Sequence, residues 1–162
     1  MYKLITFDIY SASLDINGSA TPIVKEVLGW DDEKSLEFFK IWRAQQWNFL
    51  LLNNSMSVGF ESYRSITTKS LEYAIKKFEV SLTEEQKNRL MEIWVSFKAW
   101  PEAKEVIDEI KRRGYKVAML SNGDRDMLEP LQSSSGIQFD YVFSAESAKA
   151  YKPSVRAPSC RQ

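Results

Sequence analysis

Polar side chains follow three short apolar segments of the chain, and they are Asp8, Ser121 with Asn122, and Lys152. Together they supply a carboxylate nucleophile or base, a hydroxyl and an amide donor, and a fixed cation. A carboxylate at the end of a buried strand is costly unless a neighbouring group stabilises its charge. Tyr10 stands two residues after Asp8, where a second carboxylate could have been an acid–base partner. The sequence therefore predicts one carboxylate beside a phenol, not a carboxylate pair.

The three segments before these side chains are rich in apolar and β-forming residues, and they are Tyr2–Phe7, Tyr115–Leu120 and Phe139–Ser144. Helical patterns separate them, which is typical of a parallel α/β sheet. The carboxyl ends of parallel strands meet at one edge of the sheet, so we expect the polar side chains to converge there. Each side chain alone has a simpler explanation as a turn residue, a helix cap or a solvated cation. Their order, each after its own strand, is the more specific signal.

The long stretch between the first two strands has helical periodicity and no strand signal. We therefore expect an α/β core, with a Rossmann-like parallel sheet, formed by residues 1–14 and 98–154. A helical cap is expected over residues 15–97. Residues 155–162 have no apolar period and predict a tail that is disordered or foreign to the fold.

Local signals predict where the helices of this stretch begin and end. Residues 11–20 are small and polar and predict a loop, after which Thr21 and Pro22 suit a helix N-cap and first position. Asn53-Asn54 is predicted to stop the next long helix. Thr83 with Gln86 has the spacing of a capping box for a helix through Phe97.

Composition excludes several function classes. The 162 residues include 22 basic and 22 acidic side chains, so no net field recruits nucleic acid or an anionic membrane. The absence of histidine excludes Ser-His-Asp and Cys-His catalysis and the common His-rich metal sites. A single cysteine fits a reducing compartment, and no signal peptide is recognisable, so we expect a cytoplasmic protein.

Four motifs resemble those of the haloacid dehalogenase superfamily, and within it the L-2-haloacid dehalogenases. They are Phe7–Tyr10, Leu120–Gly123, Tyr151–Pro153 and the helical segment Ile41–Trp47. The resemblance covers about residues 3–154, with the motifs in the family's order and spacing. It implies a hydrolase that needs no metal or cofactor and takes a small 2-haloacid as its substrate. The relatives' habit of dimerising also implies a homodimer.

The resemblance implies a role for each candidate residue. Asp8 would attack the halogen-bearing carbon of a 2-haloalkanoate and form an ester, which water would hydrolyse to a 2-hydroxy acid of inverted configuration. Lys152 would favour the ionised form of Asp8, and Arg43 would act on the halide or the carboxylate of the substrate. The orienting hydrogen bonds would come from Ser121 and Asn122, and the apolar wall from Tyr10 and Trp47, with Tyr63 as a further candidate.

Two of these aromatic positions and two polar ones have an alternative interpretation. Trp47 and Tyr63 also suit plain packing within the cap, which by helical spacing is the commoner case. Gln45 and Gln46 are interpreted as solvated polar positions of the same helix.

The chain departs from the family pattern at three places. Ala12, flanked by serines, replaces the threonine of the usual Gly-Thr-Leu, and Pro158 falls where an aromatic residue is expected. The family's fourth motif, rich in Ser, Asn and Asp, does not follow residue 154. We therefore expect a C-terminally truncated chain with an incomplete core and an exposed sheet edge. Hydrolysis of the ester should suffer more from this than its formation.

Two other functions compete with a dehalogenase. A phosphatase of the same superfamily would need a second acid two residues after the nucleophile and magnesium held by acidic side chains, and Tyr10 occupies that position. An inactive truncated remnant is the other alternative.

Overall fold

A computed structural model describes residues 3–56 and 59–154 of the chain. These residues form five strands and seven α-helices, with a turn of 3₁₀ helix at Glu92–Val95. In chain order they are β1 (Leu4–Phe7), β2 (Leu14–Asp15), α1 (Ile16–Leu28), α2 (Asp32–Ser55), α3 (Tyr63–Lys77), α4 (Glu84–Met91), β3 (Lys98–Ala99), α5 (Pro101–Arg112), β4 (Lys116–Ser121), α6 (Arg125–Ser135), β5 (Tyr141–Ser144) and α7 (Ala145–Ala148).

The main sheet is parallel and has the strand order β1-β4-β5. Its register pairs Phe7 with Met119 and Ser121 with Ser144, so the carboxyl ends of the three strands lie side by side. Helices lie between the strands along the chain, as the alternation of sequence patterns predicts. The predicted α/β fold with a parallel sheet is therefore confirmed.

The strand β1 is less buried than the sequence predicts. Leu4 is 39% exposed, and Ile5, Thr6 and Phe7 are only partly covered. In the part of the chain that the structure describes, β1 pairs with β4 alone and is therefore an edge strand of the sheet. By contrast, Val117 to Met119 in the middle strand are fully buried, since β4 has a neighbour on each side.

A two-stranded antiparallel ribbon joins the ends of the helical segment, the name used below for residues 16–97. Leu14 in β2 pairs with Ala99 in β3, and Asp15 pairs with Lys98. The segment thus leaves and re-enters the sheet region at one place. This ribbon lies at the two boundaries predicted between core and cap, although that division into domains stays a prediction.

The predicted loop over residues 11–20 is wrong in its second half. Helix α1 begins at Ile16, where the side chain of Asp15 accepts a hydrogen bond from Gly18 N, and Pro22 lies inside the helix. The buried residues Ile16, Ala20 and Val24 explain the difference, because they recur every four residues and form one apolar face. Burial of this face outweighs the small polar residues between them.

Other helix signals are confirmed with shifts at their ends. The capping box of Thr83 and Gln86 is present in both directions, but α4 ends at Met91 and a 3₁₀ turn follows, so the helix does not reach Phe97. Helix α2 continues past Asn53 to Ser55 because the amide of Asn53 is satisfied by Gly59 O and does not compete with the helix backbone.

An aromatic core fills the space between the helical segment and the sheet. Trp42, Trp94, Phe38, Phe39 and Phe97 are all fully buried, and the centroids of their contacting rings lie between 5.5 and 6.4 Å apart. Such rings bury large areas and prefer the tilted and edge-on contacts seen here. This rigid packing fixes α2 and the 3₁₀ turn against the loop that follows β1.

Within residues 3–56 and 59–154, no helix is long and apolar enough to cross a membrane. The predicted tail over residues 155–162 and the departure at Pro158 lie outside the described residues.

Candidate active site

Asp8 lies in the loop directly after β1, with its side chain 53% exposed. The hydroxyl of Ser13 donates a 2.8 Å hydrogen bond to the main-chain oxygen of Asp8, and Ser13 N donates to Ile9 O. Ser11 supports the same tight loop with a positive φ of 72°. Ser13 thus contacts the backbone of Asp8, while Ala12 lies on the exposed side of the loop.

Lys152 forms an ion pair with Asp8. Its Nζ lies 2.6 Å from Asp8 Oδ1 and also donates a 3.0 Å hydrogen bond to Leu120 O, at the end of β4. The ammonium group therefore bridges the carboxyl ends of two neighbouring strands. Only 27% of the Lys152 side chain is exposed, so the pair is partly shielded from water and its charges are less screened than on an open surface.

Asn122, in the loop after β4, holds the backbone of Lys152. Its Oδ1 accepts a 2.7 Å hydrogen bond from Lys152 N, and the residue also lines the cavity next to Asp8. Ser121 is 1% exposed, and its Oγ accepts a hydrogen bond from Gly123 N. Of the two predicted donors, Asn122 therefore lies at the cavity and Ser121 supports the turn behind it.

The glycine of this turn allows two side chains to approach closely. A Cβ on Gly123 would lie 2.8 Å from Leu128 Cδ2 and 3.0 Å from Tyr10 Oη. Both distances are shorter than normal contacts, so a larger residue would push against the ring of Tyr10. The close approach of these two side chains therefore explains why the Ser-Asn-Gly motif of this chain has glycine at position 123.

Tyr10 and Tyr63 stack to form one wall of the cavity. Their ring centroids are 5.5 Å apart and the ring planes differ by 10°. Burial raises the pKa of Tyr10 well above its ordinary value, and burial raises the pKa of Tyr63 to about 12 although the charge of Arg43 acts in the opposite direction. Both phenols therefore stay neutral near pH 7, and neither is a ready proton donor at that pH.

Arg43 reaches the cavity from α2 and is held by Gln46. Nη1 of Arg43 donates a 2.9 Å hydrogen bond to Gln46 Oε1, which also accepts from Tyr63 Oη at 3.1 Å. Gln46 Nε2 donates to Thr67 Oγ1, and the guanidinium lies 5.9 Å from the ring centre of Trp94. The arginine is thus fixed by a buried polar network and an aromatic face.

The interpretation of Gln46 as a solvated residue is wrong. Its side chain is fully buried and its amide contacts three other side chains. The apolar stripe of α2 runs through Phe39, Trp42 and Leu50, and Gln46 occupies the place in this stripe between the last two. That spacing was a signal for a buried polar residue, since a glutamine within an apolar helix face must find partners inside the protein.

Trp47 and Tyr63 both line the cavity, in different ways. Tyr63 is 1% exposed and belongs to the core as well as to the wall, so the two interpretations of this residue hold together. Trp47 is 40% exposed and lies at the rim. A large exposed ring there can cover a bound ligand without being needed for the packing of the core.

One cavity of about 220 Å³ brings most of the candidate residues together. It is lined by Asp8, Tyr10, Arg43, Trp47, Leu50, Tyr63, Asn122, Lys152 and Pro153. Six of the seven predicted site residues are in this lining, and Ser121 is the exception. The lining carries two cations and one carboxylate, which leaves one positive charge for an anionic ligand. The rest of the wall consists of the amide of Asn122 and of apolar and aromatic side chains.

Two polar residues that the sequence did not indicate as part of the site, Asp124 and Asn54, join the helical segment to the sheet side of the site. Asp124 accepts hydrogen bonds from Tyr63 N and Arg64 N at 3.0 and 2.8 Å, at the start of α3. Asn54 exchanges two hydrogen bonds with the backbone of Tyr151. Both contacts join residues far apart in sequence, and no local pattern reveals them.

Across residues 3–56 and 59–154, no group of three or more Asp, Glu or Cys side chains is placed to hold a metal ion. Asp8 is also the single acidic side chain in the cavity lining given above.

Comparisons with known proteins show which family the chain is similar to. A family model described as haloacid dehalogenase-like hydrolase matches residues 2–159. Haloacetate dehalogenase H-2 from Moraxella sp. strain B is 26% identical over 153 residues, which cover 93% of this chain and 66% of the relative. (S)-2-haloacid dehalogenase 4A from Burkholderia cepacia is 28% identical over 156 residues, covering 95% of this chain and 65% of the relative.

A solved structure shows the same fold. L-2-haloacid dehalogenase from Xanthobacter autotrophicus superposes with a TM-score of 0.83 at 24% identity, covering 94% of this chain and 60% of that protein. The chain thus spans 60 to 66% of the length of these three relatives. Since the family model extends over nearly all of the sequence and the fold agrees, the chain belongs to the haloacid dehalogenase-like hydrolases.

Proposed function

We propose that the protein is a hydrolase that cleaves the carbon–halogen bond of short L-2-haloalkanoic acids and yields 2-hydroxy acids. The observation that carries this proposal is the cavity, where one carboxylate is paired with a lysine and faces a second cation within an aromatic wall. The names of the curated relatives, a haloacetate dehalogenase and an (S)-2-haloacid dehalogenase, support the same chemistry.

Asp8 is the proposed nucleophile. One of its carboxylate oxygens attacks the carbon that carries the halogen, the new C–O bond forms as the carbon–halogen bond breaks, and the halide leaves with its electron pair. Lys152 holds the attacking carboxylate through Oδ1, which fixes its direction, because positioning lowers the barrier of such a displacement. The product of this step is an ester on Asp8 with inverted configuration at the carbon.

Arg43 is the proposed anchor for the anionic part of the substrate. Its guanidinium keeps donors for a carboxylate or a halide after one N–H is used on Gln46, and the planar donor set suits a carboxylate. Asn122 adds a polar group beside Lys152, and Ser121 supports its turn from behind. With Lys152 engaged by Asp8, the site has one cation free for one anionic substrate.

Tyr10 and Trp47 are proposed to exclude bulk water from the reacting carbon. The cavity of about 220 Å³ is smaller than the roughly 300–1,000 Å³ typical of pockets for drug-sized ligands, which favours a short-chain acid. Tyr10 also disfavours the phosphatase alternative, because a buried phenol with a raised pKa replaces the acid that would protonate a leaving group.

Hydrolysis of the ester is proposed to be slower than its formation in this chain. Water must attack the Asp8 carbonyl carbon, and a second acid or base would assist by taking a proton from it. Within the described residues, Asp8 itself is the only acid of the lining, and it is esterified at that stage. We therefore expect the ester to accumulate.

The decisive test measures halide released from each enantiomer of 2-chloropropionate, without added metal, and phosphate released from p-nitrophenyl phosphate with and without magnesium. The proposal predicts halide from the (S) enantiomer alone, in at least one equivalent per chain, and none from the Asp8→Asn variant. Metal-dependent phosphate release would support the phosphatase instead, and neither product would support an inactive remnant.

We also propose that residues 15–97 act as a cap over a core of residues 1–14 and 98–154, and that the protein is a cytoplasmic homodimer. The antiparallel ribbon of β2 and β3 at the predicted boundaries supports the cap, and the single cysteine supports a reducing compartment.

The homodimer rests on the family resemblance alone. Sedimentation equilibrium tests it directly, with a monomer mass as the contrary result.

A further inference from the structure

The loop that carries Lys152 is held from two sides by asparagine side chains. On the sheet side, Asn122 Oδ1 accepts the backbone N–H of Lys152. On the side of the helical segment, Asn54 Oδ1 accepts from Tyr151 N and Asn54 Nδ2 donates to Tyr151 O, both at 2.9 Å. The amide of Asn54 therefore satisfies both backbone groups of the residue before Lys152, as a neighbouring strand would.

Asn54 lies in the last turn of α2, the helix that also carries Arg43. Eleven residues separate the two, which is about three helical turns and about 16 Å of rise. A regular helix of this kind behaves as a rigid rod. The position of Arg43 at the cavity and the position of the Lys152 loop are therefore set by the same helix.

The side chain of Tyr151 is anchored separately from its backbone. Its ring stacks on Phe60 with centroids 4.9 Å apart, and its hydroxyl donates to Glu61 O. Tyr151 is also fully buried. If the Asn54 amide is removed, the side chain of Tyr151 should still hold the loop in place, while the backbone of the loop becomes free to shift. The substitution therefore tests the position of the loop without unfolding it.

We propose that Asn54 is a positioning residue for Lys152, through which the docking of α2 sets the geometry of the Asp8–Lys152 ion pair. Nζ of Lys152 lies 2.6 Å from Asp8 Oδ1, so a small shift of the backbone at residue 151 lengthens this contact directly. The consequence for catalysis rests on the proposed function. When Asn54 is replaced, we expect Asp8 to attack more slowly but the substrate to bind equally well, because Gln46 still holds Arg43.

The chain offers a matched control in the neighbouring asparagine. Asn53 Nδ2 donates to Gly59 O, and its Oδ1 accepts from Glu61 N, so its amide contacts backbone groups of the helical segment only. Asn53→Ala removes an amide of the same type from the same helix turn without removing a hydrogen bond to the backbone of Tyr151 or Lys152. Asn54→Asp is the second useful variant, since it preserves shape but sets an oxygen against the carbonyl of Tyr151.

The first readout needs no activity. Amide hydrogen exchange is followed at Tyr151, and acetylation of Lys152 by a succinimidyl acetate is followed by peptide mass spectrometry. For Asn54→Ala and Asn54→Asp we expect exchange at Tyr151 and acetylation of Lys152 to rise about five- to tenfold, the scale of one lost hydrogen bond. Asn53→Ala should match the wild-type protein in both. Unchanged exchange or unchanged acetylation in both Asn54 variants overturns the proposal.

The second readout is the rate of ester formation on Asp8 from (S)-2-chloropropionate. Both Asn54 variants should lower the saturating rate about 10- to 100-fold and leave the half-saturating concentration within twofold. A rise in that concentration with an unchanged rate contradicts the positioning role. If the wild-type protein forms no ester, the proposed function fails, and the exchange and acetylation results still decide whether Asn54 positions Lys152.

Discussion

Replacing Gln46 by methionine tests how Arg43 is held in the cavity. The side chains have similar length and volume, so packing within the aromatic core is retained. The substitution removes the acceptor of the Arg43 guanidinium and of the Tyr63 hydroxyl, and the donor to Thr67. Because Gln46 and Tyr63 are both fully buried, water cannot replace the lost acceptor of the Tyr63 hydroxyl.

The expected loss of stability can be worked out from each lost contact. A buried hydroxyl without a partner costs about 1–3 kcal/mol, which applies to Tyr63. Thr67 keeps its hydrogen bond to Tyr63 O, and Arg43 is partly exposed and can turn toward water. The loss of stability caused at each of these two residues is therefore smaller. We expect the free energy of unfolding to fall by about 2–4 kcal/mol, and the melting temperature by about 5–15 °C.

The effect on substrate follows from the freedom that Arg43 gains. A loss of about 1.4–2.8 kcal/mol of oriented interaction raises the half-saturating concentration of 2-chloropropionate about 10- to 100-fold. The saturating rate should change much less, since Asp8 and Lys152 do not contact Gln46. The assay is the rate of halide release or ester formation over a range of concentrations, at a temperature where the variant is folded.

Gln45→Met is the matched control, because Gln45 precedes Gln46 on α2 and is partly exposed. It should resemble the wild-type protein in urea unfolding and in substrate dependence. The reasoning is refuted if the two variants behave alike. A destabilised Gln46→Met protein with an unchanged half-saturating concentration would show that Arg43 is oriented by something other than this amide.

Two further substitutions probe the wall of the cavity. The pKa of Tyr63 is raised from 10.0 to about 12 in the folded protein, so its contribution to stability is complete below pH 10 and is lost between pH 10 and 12. The advantage of the wild-type protein over Tyr63→Phe in urea unfolding should therefore shrink by about 2–3 kcal/mol over that range, and a constant difference would refute the assignment. Gly123→Ala should cost about 1–3 kcal/mol by crowding Tyr10 and Leu128, and Tyr10→Phe should recover part of it in the double variant. Strict additivity of the two changes in urea unfolding would exclude the contact.

The sequence predicted the elements that depend on local chemistry and on strand order. The cap at Thr83 follows from a short pattern, and the meeting of Asp8 with Lys152 follows from the convergence of parallel strands. The start of α1 was missed because burial of the Ile16 face is a tertiary effect that overrides polar composition.

The parts of the site that were missed depend on contacts between distant residues. Gln46 contacts Thr67 across 21 positions, and Asn54 contacts Tyr151 across 97. Of these, Gln46 alone had a sequence signal, its place within an apolar helix face. No sequence pattern near Asn54 indicates its contact with Tyr151, because two adjacent asparagines are also typical of the end of a helix.

The central claim is that the carboxylate of Asp8 becomes covalently bonded to the substrate carbon. The most direct measurement is the mass of the peptide that contains Asp8, after the protein has reacted with (S)-2-chloropropionate and been stopped in acid. The account predicts that this peptide gains the mass of 2-chloropropionic acid less that of hydrogen chloride, in step with halide release, and that Asp8→Asn shows neither. Halide released without any mass added to this peptide, or mass added at another residue, would contradict it.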